Sequence, residues 1–224
     1  MTSSTSTTGA APSGTGPSGT GPSGTGTSGA GPAGTGVPPD GPPLRADARR
    51  NRERLLAAAT AAFAEHGADA PLEDIARRAG VGIGTLYRHF PTRLALQEGV
   101  FRNQVDAVCQ RGRDLAGSPA PGDAFADWLQ ALSGYLATKR GLSQALIATL
   151  GRDSELISSC SQLMKTTAEQ LLLRAQEAGQ LRADVSAMDV MRLVHGIAVA
   201  TERAPGDAPR LLSLMIDGLR PPAR

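Results

Sequence analysis

Apolar side chains recur at helical spacing over most of the chain beyond residue 44. Between residues 55 and 66 they recur at i, i+1, i+4, i+7 and i+8, which places them on one face of a helix. The same period predicts helices over about 93–115, 125–136, 142–150, 153–178, 187–203 and 208–219. The alternating pattern of a β-strand is not found beyond residue 44. With two shorter helices between residues 71 and 90, the sequence predicts an all-α fold of about nine helices.

The two shorter helices flank a glycine turn. Pro71 suits the first position of one helix, and Gly80 suits the left-handed residue that ends it. The second helix is predicted over about 82–90 and ends before Pro91. Two short helices joined by a tight turn match the helix-turn-helix unit that places its second helix in the DNA major groove. An ordinary αα-corner with a solvated outer face has the same pattern, so the pattern by itself leaves both interpretations open.

The second short helix carries polar side chains on the side opposite Leu86 and Phe90. Hydroxyl, phenol, guanidinium and imidazole groups are suited to contact phosphate oxygens, and an arginine can also contact guanine. These outward residues are Thr85, Tyr87, Arg88 and His89.

Positive charge is concentrated near the same segment. The whole chain has a formal net charge of +2, but residues 44–93 hold nine arginines and six acidic residues. Arg45, Arg49 and Arg52 recur at i, i+4 and i+7 of the first helix. Cations at a helix start oppose the helix dipole. A phosphate-contacting arm that includes Arg45 and Arg49 is therefore one interpretation, and a solvated helix start is the other.

The first 43 residues have a different composition. The motif PSGTG occurs at 12–16, 17–21 and 22–26, and the only charged residue before Leu44 is Asp40. Such a segment buries too little apolar surface to offset its ordering entropy, so we expect residues 1–43 to be a disordered tail. It has neither the basic start nor the apolar run of a secretory signal.

No stretch of the chain has the length and apolar character of a membrane span. Cys109 and Cys160 have no nearby cysteine or histidine partners and are predicted to be packed thiols. We expect a cytoplasmic protein with no membrane association.

Residues 48–107 resemble the N-terminal domain of the TetR family of bacterial transcriptional repressors. The resemblance rests on FAEHGADAPLEDIARRAGVGIGTLYRHFPTR, in which the family pattern of a glycine turn followed by TLYxHFxxK/R is intact. It implies a recognition helix over 83–89 whose first residues face the bases. It also implies phosphate contacts from the end of that helix and from the first residue of the next one. The predicted DNA-contacting residues are Gly82, Ile83, Gly84, Thr85, Tyr87, Arg88, His89, Arg93, Arg45 and Arg49.

Two positions depart from the family or fit two roles. Many relatives have Thr or Ser where this chain has Pro71, so one cap or phosphate contact is lost. Ile83 lies three residues before Leu86, a spacing that fits the protein core as well as the groove. With Gly82 and Gly84 beside it, few side chains would read base edges, and we expect close backbone approach and DNA shape to carry more of the specificity.

The resemblance also assigns roles to the C-terminal half. Residues 44–107 would form the DNA-binding domain, with its motif at 71–90, and residues 108–224 a helical ligand-sensing and dimerisation domain. Residues 120–219 are similar to the C-terminal domains of a subgroup of the family, on the segment at 148–156. The predicted dimer interface comprises Val194, Ile197, Ala198, Leu211, Leu212, Met215 and Ile216. The candidate pocket residues are Trp128, Tyr135, Leu146, Met164 and Leu171, whose helical spacing equally fits core packing.

An enzyme is not predicted. The three histidines, His66, His89 and His195, lie in separate predicted helices without ligand spacing, and no nucleophile motif or phosphate loop occurs. We therefore expect no catalytic residues, no metal site and no cofactor. The predicted function is a sequence-specific transcriptional regulator, a repressor that binds a palindromic operator in double-stranded DNA as a homodimer and is released by a small-molecule effector. An activator, or a helical interaction protein that responds to no ligand, is the alternative.

Overall fold

Nine α-helices make up the part of the chain that the structure, a computed structural model, describes, namely residues 42–138 and 140–221. In chain order they are α1 (Pro42–His66), α2 (Leu72–Arg78), α3 (Ile83–His89), α4 (Arg93–Leu115), α5 (Pro121–Thr138), α6 (Arg140–Leu150), α7 (Glu155–Glu177), α8 (Ala187–Ala200) and α9 (Ala208–Leu219). A 3-10 turn over Pro205–Asp207 precedes α9. The described residues contain no β-strand, and the predicted all-α fold is confirmed.

The predicted tail lies outside the described residues, except for Pro42 and Pro43, which belong to α1. The helix therefore begins two residues before the predicted boundary. None of the helices within 42–138 and 140–221 combines the length and the apolar character needed to cross a membrane.

Helix ends follow local sequence signals. Gly80 follows α2 with a φ of 67°, a conformation that side chains with a Cβ avoid. The Thr92 side chain accepts a hydrogen bond from the Ala95 N–H at 3.0 Å and caps α4. Pro71 is the N-cap of α2 rather than its first helical residue, with φ −61° and ψ 130°. An N-cap has non-helical ψ, so the predicted start of this helix was one residue early.

Helix α4 packs against the N-terminal helices with one part of its length and against the C-terminal helices with another. A single apolar core joins buried residues from α1 to α9. Two glycines allow neighbouring side chains to approach the α4 backbone. A Cβ built on Gly99 would lie 2.8 Å from Cε1 of Phe90, and one built on Gly112 would overlap Cγ2 of Thr167. The predicted domain division at 107/108 thus falls inside a continuous helix.

The two cysteines are buried and unbridged, as predicted. Cys109 is 0% exposed and Cys160 is 6% exposed. Burial raises the pKa of both thiols above the ordinary value of 9.0. Both thiols are therefore kept protonated, which suits a packing role rather than a reactive one.

Candidate nucleic-acid interface

The turn between α2 and α3 is closed by backbone hydrogen bonds around Gly80. The Val81 N–H donates to the Ala76 carbonyl at 3.0 Å, and the Gly80 N–H donates to the Arg77 carbonyl at 3.1 Å. This pair of bonds, with a left-handed glycine between them, is the Schellman arrangement that ends a helix. The backbone of this turn therefore sets the direction in which α3 leaves α2.

Helix α3 has one buried face and one exposed face. Leu86 is 0% exposed and Phe90, its C-cap, is 3% exposed. On the other side, Ile83 is 37% exposed and Tyr87 is 45% exposed. Ile83 is not part of the apolar core, so of its two predicted positions the structure favours the outward one.

The first turn of α3 is bare of side chains around Ile83. Gly82 and Gly84 are exposed, and a Cβ built on either would meet nothing within 4 Å. Neither glycine has a positive φ. The fold therefore does not require glycine at these two positions, and the space next to the α3 backbone is open to a ligand.

The predicted polar contacts lie on the exposed side and shoulders of α3. Arg88 is exposed, and Thr85 and His89 are half-buried. Within the described residues, the side chains of Tyr87 and Arg88 make no hydrogen bond or ion pair. Their phenol and guanidinium groups are therefore free to contact phosphate.

The arginines of α1 differ in how far they are engaged. Arg45 is exposed, whereas the Arg49 Nε lies 3.6 Å from Glu53 Oε1 in a solvent-exposed ion pair. The Arg52 guanidinium carbon lies 5.4 Å from the centroid of the Phe90 ring, within range of a cation–π contact. An exposed pair of this kind stabilises by less than about 1 kcal/mol, so Arg49 can exchange Glu53 for phosphate at little cost.

Arg93 has partners that the sequence did not predict. Its Nη1 donates to the Ala70 carbonyl at 2.6 Å and is 3.2 Å from the Ala68 carbonyl. One turn further along α4, Gln97 Nε2 donates to the same Ala68 carbonyl at 2.9 Å. We call Arg93, Gln97 and these two carbonyl groups the loop clasp. No side-chain pattern signals these bonds, because their acceptors are backbone groups more than twenty residues away.

The five candidate pocket residues are all in the core. Trp128 and Leu146 are 0% exposed, and Trp128 Nε1 donates to the Val108 carbonyl at 3.1 Å. Tyr135, Met164 and Leu171 are 6%, 7% and 3% exposed, and burial raises the pKa of the Tyr135 phenol. The core-packing interpretation therefore describes their position in this structure.

Two cavities at the surface of the C-terminal helices are lined by other residues. One of about 370 Å³ lies between α5 and α9, and one of about 280 Å³ lies beside the start of α5 and the end of α9. The larger is lined by Gln130, Ser133, Gly134, Ala137, Pro205, Ala208, Pro209, Leu212, Ser213 and Ile216.

The seven predicted interface residues divide into two groups. Val194, Ala198 and Leu212 are at most 5% exposed and pack in the core of the chain itself. Because they are covered within one chain, they are not available to a partner. The half-buried group comprises Ile197, Leu211, Met215 and Ile216, of which Ile197, Met215 and Ile216 pack against the edge of the core.

The exposed apolar side chains of α8 and α9 are different residues. Leu193 and Val199 on α8 are 52% and 54% exposed, and Leu214 on α9 is 59% exposed. Leu193 and Val199 directly adjoin the buried Val194 and Ala198. Because consecutive helical residues are about 100° apart, they point to another side of the helix. The apolar content of these helices was a signal for an interface, but it did not show which face would be exposed.

Helices α2 and α3 are joined by a tight turn, the outer face of α3 is exposed and largely polar, and the rest of the described chain is helical. These features define a helix-turn-helix protein. A family model described as "Bacterial regulatory proteins, tetR family" matches residues 55–100, and one described as "Transcriptional regulator SbtR-like, C-terminal domain" matches residues 120–221. The chain belongs to the TetR family of bacterial transcriptional regulators.

Two solved structures are similar over nearly their whole length. A TetR transcriptional regulator from Streptomyces coelicolor is 40% identical, with a TM-score of 0.69, over 77% of this chain and 99% of that one. A TetR regulatory protein from Mycobacterium vanbaalenii is 36% identical, with a TM-score of 0.66, over 80% and 100% of the two chains.

A curated relative matches over a shorter region. An HTH-type transcriptional regulator from Staphylococcus aureus strain USA300 is 38% identical over 64 residues, which are 28% of this chain. The match spans about a third of that relative's length (35%).

Proposed function

We propose that this chain binds an operator in double-stranded DNA through α3, as a two-fold homodimer in the cytoplasm, and represses transcription until a small-molecule effector releases it. The observation that carries the proposal is the outer face of α3. The side chains of Tyr87 and Arg88 are exposed there and have no hydrogen-bond or ion-pair partner in the described chain, next to a backbone that Gly82 and Gly84 leave bare. Such a helix fits a major groove, where the polar ends hold phosphates and the bare tip approaches the bases.

Within this proposal the contacts have different tasks. Tyr87, Arg88 and His89 hold phosphates, and Arg45 and Arg49 extend the basic surface along α1. Ile83 is exposed and apolar, so its contact is with a thymine methyl group. Thr85, Gly82 and Gly84 complete the base-facing end.

Dimerisation is proposed from the exposed apolar surface of α8 and α9. Leu193, Val199 and Leu214 are each more than half exposed, and exposed apolar surface of this kind marks an interaction site. A two-fold dimer presents two copies of α3 to two half-sites, which requires a palindromic operator. We place these three residues in the interface together with Ile197, Leu211, Met215 and Ile216.

Effector release is proposed from family membership. Trp128, Tyr135, Leu146, Met164 and Leu171 would admit a ligand only if the core around them opened. Binding would then favour a dimer whose two copies of α3 are wrongly spaced for successive major grooves.

Selection of bound duplexes from a random-sequence pool tests the DNA part. We expect an enriched inverted repeat. An Arg88→Ala variant should make the negative slope of log affinity against log salt shallower by about 1.8 per dimer, because each phosphate contact contributes about −0.9. Arg152→Ala is the matched control, because Arg152 is an exposed arginine outside the interface. Failure to enrich any sequence, or equal effects of both variants, would contradict the proposal.

Sedimentation of a Leu214→Glu variant tests the dimer. We expect a monomer, because two carboxylates would be buried at the two-fold contact. Ile83→Glu, an exposed apolar residue on α3, should leave the dimer intact. A dimeric Leu214→Glu protein would show that α9 is not in the interface.

A further inference from the structure

Arg93 is the first residue of α4, where a positive charge is unfavourable. The N-terminal end of a helix carries a partial positive charge from its free N–H groups. Thr92 already caps this end. Arg93 is half-buried, so water does not fully screen its charge. An arginine at this position therefore needs a compensating partner.

The loop clasp supplies that partner within the protein. The Ala70 and Ala68 carbonyls lie 2.6 and 3.2 Å from Arg93 Nη1, and Gln97 Nε2 donates to the Ala68 carbonyl as well, at 2.9 Å. Gln97 is only 8% exposed, so its amide is committed to this loop and does not reach DNA. Hydrogen bonds from a charged donor are among the stronger ones in proteins.

The loop that the clasp holds leads directly into α2. The N-cap of α2 is Pro71, which makes no side-chain capping bond. Local sequence therefore does little to fix where α2 starts. The loop does contain one turn bond, from the Ala70 N–H to the Gly67 carbonyl at 3.2 Å, and α4 side chains hold the carbonyls of Ala68 and Ala70.

We propose that Arg93 and Gln97 are positioning residues, which attach the start of α2 to α4 and so set the angle at which α3 meets DNA. The inference rests on the proposed function, and it gives Arg93 a role other than the phosphate contact expected from the family resemblance. Since α2 directs α3 through the Gly80 turn, a shift of the loop moves the whole reading unit.

Three variants of the full chain test this, namely Arg93→Ala, Gln97→Leu and, as the phosphate-contact control, Arg88→Ala. The first measurement is amide hydrogen exchange without DNA. We expect exchange over residues 72–78 to be faster by about tenfold in Arg93→Ala and Gln97→Leu, as for the loss of one hydrogen bond to a charged or buried group. Arg88→Ala should exchange like the wild type.

The second measurement is binding to the duplex recovered by selection, titrated at several salt concentrations. Arg93→Ala and Gln97→Leu should each bind about tenfold more weakly, with the salt slope of the wild type. Arg88→Ala should instead have a salt slope that is shallower by about 1.8 per dimer. Loss of a contact that only stabilises the fold would leave the DNA affinity of the folded fraction unchanged. Loss of a positioning contact lowers that affinity.

Two results would overturn the inference. One is a salt slope for Arg93→Ala that falls as it does for Arg88→Ala, since Arg93 would then hold phosphate. The other is unchanged exchange over residues 72–78 in both clasp variants. If the wild-type chain binds no duplex, the proposed function fails and the role in reading fails with it, while the exchange data still show whether the clasp holds α2.

Discussion

Adding one methyl group at Gly112 should test how tightly α4 is seated against the C-terminal helices. A Cβ at this position would overlap Cγ2 of Thr167 and lie 3.2 Å from both Cδ1 and Nε1 of Trp128. Thr167 is held in place by the hydrogen bond from its hydroxyl to the Leu163 carbonyl at 2.9 Å. Neither neighbour is the free end of a flexible side chain, so the strain is not easily relieved.

Opposing effects set the magnitude for Gly112→Ala. Replacing a helical glycine by alanine stabilises by up to about 1 kcal/mol. Overpacking a core costs about 1–3 kcal/mol. Displacing Trp128 also strains its buried bond to the Val108 carbonyl, at a further cost of about 1–3 kcal/mol if the N–H loses its acceptor. The free energy of unfolding should therefore fall by about 3 kcal/mol.

A double-mutant cycle assigns the cause. Thr167→Ser removes the overlapping methyl group and keeps the hydroxyl, and by itself should cost about 1 kcal/mol. Combined with Gly112→Ala it should recover about 2 kcal/mol relative to the sum of the single changes. Gly134→Ala in α5, where a Cβ meets nothing within 4 Å, is the control and should be neutral or stabilising.

Urea denaturation at one fixed protein concentration measures these differences, because the stability of the proposed dimer would depend on its concentration. A Gly112→Ala protein as stable as the wild type would refute the steric argument. A double variant whose loss in the free energy of unfolding equals the sum of the two single losses would refute it as well.

Three further changes test other parts of the structure. Gly99→Ala should weaken operator binding in anisotropy titrations, because its Cβ would lie 2.8 Å from the Phe90 ring at the end of α3, and unchanged affinity would contradict this. Burial raises the pKa of Cys109 and Cys160, so the folded state holds these protons more tightly than the unfolded chain, and stability present below pH 9.0 should decline as the pH rises above it. Urea midpoints measured across that pH should fall less in a variant with both cysteines replaced by alanine. Ser186→Ala should lower the free energy of unfolding by about 1 kcal/mol, because it removes the capping box of α8, and an unchanged urea midpoint would argue against the cap.

Sequence reasoning was most successful where a local signal decides the outcome. The Gly80 turn depends on residues close in sequence, and the structure confirms it. The helices themselves follow from apolar periodicity, which a single long amphipathic segment is enough to reveal.

The same signal did not decide which face of α8 and of α9 is exposed. These helices are apolar on more than one side, so periodicity could not separate the residues of the chain's own core from those of an exposed face. Val194 and Leu193 are neighbours in the sequence, yet one is 0% and the other 52% exposed. The difference comes from where α5 and α7 pack, which is a property of the tertiary structure.

The loop clasp could not be predicted for a related reason. Its acceptors are the backbone carbonyls of two alanines, and a carbonyl group has no sequence signature. Arg93 matches a phosphate-binding position of the family, so the sequence supplied one plausible role. Only the folded loop shows that the guanidinium already has partners within the chain.

The two glycine contacts of α4 determine where this protein can be cut and recombined. Gly99 accommodates Phe90 from the N-terminal helices, and Gly112 accommodates Thr167 from the C-terminal ones, about 20 Å apart along one continuous helix. A chimera joined at 107/108 would bring together two halves of α4 from different parents, each shaped for its own neighbours. A splice in the segment 116–120, after α4 has ended, would instead separate Gly112 from Thr167, which lies in α7. Engineers who exchange operator specificity between such regulators should therefore join the two parents inside α4, between Gly99 and Gly112, so that each glycine keeps the side chain it accommodates.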